Sequence, residues 1–175
     1  MNDSTQQRAK RPRTALAGPY GHPFHPSLIP IPIGAWIASL VFDLAAFITG
    51  ETTVFERGAL WLIGIGIIGA LAAAVFGFLD FSQLERGTKA HRTGLIHMSL
   101  NLAVTALFVA GFLVRLGIGY DRVSIAGFII SLVALALLSA SGYLGGELAY
   151  RYGVRVADEQ TQQREGFEQG GRLRS

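Results

Sequence analysis

Residues 58–81 read GALWLIGIGIIGALAAAVFGFLDF, with no lysine or arginine and a single acid, Asp80, at the far end. As a helix rising about 1.5 Å per residue, this run is long enough to cross a hydrocarbon core of roughly 30 Å. Three more runs, 28–49, 95–114 and 123–146, are equally free of lysine and arginine. Lipid offers no partner for an open backbone, so each run must close its hydrogen bonds as a helix. The expected fold is therefore an all-α, multi-pass integral membrane four-helix bundle. Composition agrees: 50% of residues are hydrophobic and 15% charged, with a mean hydropathy of +0.40. Soluble domains carry about 25% charged residues.

The chain has no cysteine, which excludes disulfides, iron–sulfur clusters and thiolate zinc sites. The pI of 9.6 is not read as a nucleic-acid signal, because the basic residues flank the apolar runs. Nine of them fall on one side: Arg8, Lys10, Arg11, Arg13, Arg86, Lys89, Arg92, Arg151 and Arg155. Three fall on the other: Arg57, Arg115 and Arg122. Positive charge stays inside, so both termini are expected in the cytoplasm, with the chain in the inner (plasma) membrane. The first run is expected to remain as a span. It is too long for a signal h-region, Asp43 interrupts it, and no small-x-small cleavage site follows.

Residues 1–18 lack apolar periodicity and are expected as a disordered basic tail, 19–156 as the membrane domain, and 157–175 as a polar tail. Prolines 19, 23 and 26 argue against regular helix over 19–27. In the second run, Gly69, Ala73 and Gly77 are spaced by four, as are Gly66, Ala70 and Ala74, so this span is expected to be the most enclosed. Ser141, Gly142, Gly145 and Gly146 predict a second close-contact surface. The short third connection, about 115–122, makes spans three and four antiparallel neighbours.

Ionisable groups inside a bilayer are costly and mark a tight pair or a function. His25, Asp80, His97, Asn101 and Glu147 come from all four spans and share the termini half. Asp43 stands apart as a buried acid of the outer half, with Ser39 one turn earlier as a candidate partner. His22 and His91 read as surface residues.

The segments HPFHPSLIPIPIGAWIASLVFDL (22–44), GFLDF (77–81), HRTGLIHMSLN (91–101) and GYLGGELAYRYGVRV (142–156) together resemble the bacterial membrane family catalogued as domain of unknown function 2231. The matching positions are His25, Pro26, Pro32, Gly34, Asp43, Asp80, His97, Asn101, Gly145, Gly146, Glu147, Tyr150 and Gly153. The resemblance implies an association with Rieske-type redox domains and a layout like that of small di-haem cytochromes. Without cysteine, no Rieske domain stands in this chain.

No nucleophile–base pair, phosphate loop or H-E-x-x-H is present, so no catalytic residue is assigned. Three functions stay open. His25 and His97 could ligate haem b in a redox protein, for one haem only, since the outer half has no histidine. His25, Asp80, His97 and Glu147 could hold a divalent metal. Alternatively, Asp80, His97, Asn101 and Glu147 tie the helices of a non-catalytic scaffold or accessory subunit. Expected partners are the lipid bilayer, with a homo-oligomer or a redox subunit as candidates.

Overall fold

The computed structural model describes residues 4–167. Helix α1 (Thr5–Lys10), a 3-10 turn at Ala15–Ala17 and helix α2 (Phe24–Leu28) precede four long helices. These are α3 (Pro30–Thr49), α4 (Thr52–Phe81), α5 (Lys89–Ile118) and α6 (Ile125–Gly146). A π-turn at Glu147–Arg151 extends α6, and α7 (Glu159–Gln162) leads into a second at Gln163–Phe167. All four long helices are long and apolar enough to cross a membrane, and α2 runs on into α3 to make the first span Phe24–Thr49.

Sequence places the breaks. Gly50 ends α3 in the left-handed region at φ 76°. Thr88 and Ser124 cap α5 and α6, their side chains accepting from His91 N and Gly127 N. Short connections make α3/α4 and α5/α6 antiparallel hairpins. The pairing of spans three and four therefore follows the sequence expectation. Helix α2 corrects one expectation. Pro23 is its N-cap and Pro26 lies in its first turn, where a missing N–H costs little.

The bundle is apolar outside as well as inside. Ile37, Val41, Phe47, Trp61, Ile65, Ile68, Leu71 and Val75 point outward, as lipid contact requires. The core is a thin layer of Trp36, Ile63, Val104, Phe108 and Ala134. Trp36 stacks on Phe108 with centroids 4.2 Å apart and planes 9° from parallel. Its indole Nε1 donates to Ile63 O at 3.3 Å. Helix α4 can come this close because of Gly66, where a Cβ would stand 2.2 Å from the indole nitrogen. The most enclosed span is the first, with 33% of its apolar window buried against 22% for the second, contrary to the sequence reading. Gly58, Gly66, Gly69 and Gly77 of α4 face α2 and α3, Gly64 faces Phe112 of α5, and the remaining face looks outward.

A cap closes the end that carries both termini. Residues 4–18, expected as a disordered tail, hold defined structure, with Ala9 and Ala17 buried. Thr5 Oγ1 donates to Glu85 Oε2 at 2.5 Å, and Arg8 pairs with the same oxygen. Together they hold the Glu85 carboxyl below its ordinary value. Tyr20 OH donates to Asp158 Oδ2 at 2.7 Å and accepts from Asp158 N at 2.8 Å. The Tyr20 hydroxyl, then the Thr161 amide, bring Asp158 down to about 2. The expected polar tail from 157 thus begins inside the cap, and its last part, 168–175, lies outside the described residues.

Candidate functional site

Two polar layers sandwich the Trp36–Phe108 plug. The first lies toward the termini. Helix α2, running on into α3, sets His25 against α4 at Gly77, where a Cβ would be 2.9 Å from the ring. His25 Nδ1 lies 2.8 Å from Ala73 O. Across the interface, His97 Nδ1 lies 2.8 Å from Ser141 O and 3.0 Å from Ser141 Oγ, while that hydroxyl donates to His97 O. A carbonyl only accepts, so both imidazoles carry their proton on Nδ1 and present Nε2 as a lone pair. On His97 that lone pair accepts from Asn101 Nδ2 at 3.1 Å, one turn along. The two rings meet at 6.4 Å between centroids, with planes 89° apart. The sequence placed His25, His97 and Asn101 on one mouth, and the structure brings them together there. Ser141, read from the sequence only as part of a close-contact surface, is the residue that ties His97 to α6, a role that a serine in an apolar run does not signal.

Asp80 and Glu147 have their own partners. Asp80 Oδ1 lies 2.8 Å from Arg155 Nε, both residues buried. Arg155 adopts φ 60°, a costly conformation for a side-chain-bearing residue. Its amide donates to Ala9 O, and its Nη2 donates to Ala17 O and Gly18 O. Glu147 Oε1 accepts from Arg151 Nη1 and Tyr152 OH, each at 3.1 Å. Among the described residues, no group of three or more His, Cys, Asp or Glu side chains is placed to hold a metal ion. His22 is exposed, and His91 packs on Phe81 at 5.0 Å.

The second layer lies at the opposite end. Asp43 does not bond Ser39, whose hydroxyl donates to Trp36 O. Asp43 Oδ2 instead accepts from Arg115 Nη2 at 2.6 Å, with both side chains almost wholly buried. Arg115 Nη2 also donates to Ser131 Oγ at 3.2 Å. The guanidinium lies flat on α6 at Gly127, where a Cβ would be 2.5 Å from Nη1. Glu56 joins this layer at 1% exposure, within electrostatic reach of Asp43 and Arg115. Arg115 and the neighbour of Glu56, Arg57, were read as connection charges because apolar runs were trimmed at their first charge. A spacing signal existed: Val104, Phe108, Gly111 and Arg115 follow a three-four repeat, as do Pro32, Trp36, Ser39, Asp43 and Ala46, and all are buried.

A family model described as a predicted membrane protein, DUF2231, matches residues 21–158. The chain belongs to this family. The match spans both polar layers and reaches past Arg155 to Asp158, while the cap residues they hold, Ala9, Ala17, Gly18 and Tyr20, precede it. No curated protein and no solved structure matches the chain.

Proposed function

We propose that the chain is a non-catalytic, multi-pass subunit of the inner membrane, with both termini in the cytoplasm, whose buried polar groups serve to lock four helices in one arrangement. The observation that carries this reading is closure. His97 spends Nδ1 on Ser141 and Nε2 on Asn101, Asp80 is matched by Arg155, and Glu147 is matched by Arg151 and Tyr152. Of the bonds at this mouth, His97–Ser141 joins α5 to α6 and His25–Ala73 joins α2 to α4, and such interhelical bonds are each worth about 1 kcal/mol in lipid, enough to fix register without a ligand. A module of this kind acts through what it holds beside it, a second copy or a redox subunit.

One observation favours a second reading. The His25 and His97 rings meet edge to face at 6.4 Å, and each Nδ1 is fixed by a backbone carbonyl, the arrangement that orients metal-ligating histidines. The donor set is two imidazoles. It suits haem b, with His97 giving up its bond from Asn101, and falls short for a divalent metal without further ligands.

An absorption spectrum and elemental analysis on one sample of protein purified from its native membrane separate the two. The structural reading expects no Soret band and no stoichiometric metal, with His97→Ala lowering the thermal midpoint. A Soret band abolished by both His25→Ala and His97→Ala replaces it with the haem reading.

A further inference from the structure

We propose that Glu56 is a binding site for one monovalent cation, a proton or an alkali ion, held against the Asp43–Arg115 pair. The inference is independent of the structural reading above. Two carboxylates share one guanidinium in this layer, and Arg115 directs its bond to Asp43. Glu56 has no side-chain hydrogen-bond partner among the described residues, only the Ser124 backbone amide beside it, and Oδ1 of Asp43 has none either. Glu56 is buried to 1% exposure. An unmatched buried carboxylate is among the costliest groups a bundle can hold, so a further positive charge belongs there. The facing groups come from every helix of the layer: Asp43 on α3, Arg115 on α5, and the Ser124 amide at the start of α6. Arg57, next in sequence to Glu56, points away and lies over the Tyr120 ring at 5.1 Å.

Place in the fold determines what such a site does. Glu56 is in the second turn of α4, so exchange is with the compartment opposite the termini. Toward the termini, Trp36, Phe108, Ile63, Val104 and Ala134 form a dry layer before His97. The site therefore loads and unloads from one face and does not conduct across the bundle.

The test is modification of the full-length protein in detergent by a hydrophobic carbodiimide, which attacks a carboxyl carrying its proton and spares a bare carboxylate. Peptide mass spectrometry reads the modified fraction at Glu56 and at Asp43, in buffer free of alkali ions and in NaCl against choline chloride at equal ionic strength. Modification at Glu56 and not Asp43 is expected. If NaCl leaves it unchanged the cation is a proton, and if NaCl suppresses it several-fold the cation is an alkali ion. Either outcome supports the site. Modification at Asp43 instead, or none at either residue, overturns it. Glu56→Gln supplies a second readout. The neutral isostere should keep the wild-type thermal midpoint in alkali-free buffer, and a large loss would mean that Glu56 stands as a bare anion needed by Arg115.

Discussion

Arg115 is the residue on which the outer layer turns. It is the cation bonded to the buried Asp43, and replacing it leaves that acid uncompensated. Arg115→Met should therefore cost about 3–5 kcal/mol, the range for stranding a buried charge. Asp43→Asn should cost less, because Glu56 can then release its cation and balance the guanidinium. Thermal unfolding of both variants in detergent checks the ordering, and a larger loss for Asp43→Asn would refute it. Asp158 makes a pH prediction at the other end. Its folded value, about 2, is below its ordinary 3.8, so the stability it contributes is fully present above that ordinary value. That contribution is lost as pH falls toward the folded value, and Glu85 is shifted in the same direction. Amide exchange over 155–162 should therefore accelerate beyond its intrinsic trend below pH about 4. In Tyr20→Phe the same segment should already exchange fast at neutral pH. If that variant matches wild type across the range, the Tyr20–Asp158 tie does not hold the cap.

Helices are where sequence was most and least informative. Their number, order and antiparallel pairing were legible because lipid imposes length and apolarity on each run, a requirement no single residue can hide. Helix ends were not legible. α4 starts at Thr52 and α5 extends to Ile118, well beyond the apolar runs, and the extra turns carry Glu56 and Arg115 into the bundle. A buried charge and a connection charge look alike until the helix face is known. The facing of small residues was legible only in part. Gly66, Gly69 and Gly77 do meet α2 or α3 closely, whereas a Cβ at Gly146 would find nothing within 4 Å. Gly66→Ala should push Trp36 off Phe108 and cost about 1–3 kcal/mol. Gly146→Ala should stay within about 0.5 kcal/mol of wild type. Equal thermal midpoints for the two would mean that α3 and α4 do not touch at Gly66. At the termini-end site, His97 and Asn101 were legible because polar groups at that depth demand partners. Which partners they take was not, since carbonyl acceptors such as Ser141 O leave no trace in sequence.

For the molecule as a whole, the charge bias survives the burial of Arg115 and Arg155, since Arg57 and Arg122 are all that remain exposed at the end opposite the termini. The absence of cysteine makes single-cysteine labelling clean. Arg86→Cys should react with an impermeant thiol reagent only after the membrane is opened, and Thr53→Cys and Asp121→Cys in intact cells. Labelling of residue 86 from outside would invert the protein. The cap carries a consequence for how the protein is made. Asp80 enters the bilayer early, with the second span, yet its partner Arg155 follows the fourth, and Arg155 in turn grips Ala9, Ala17 and Gly18 near the start of the chain. The stretch 9–18 thus lacks this anchor until Arg155 has been made. A chain halted before 155 leaves Asp80 without its partner and the stretch 9–18 without its anchor, so the cap can form only after the fourth span is in place.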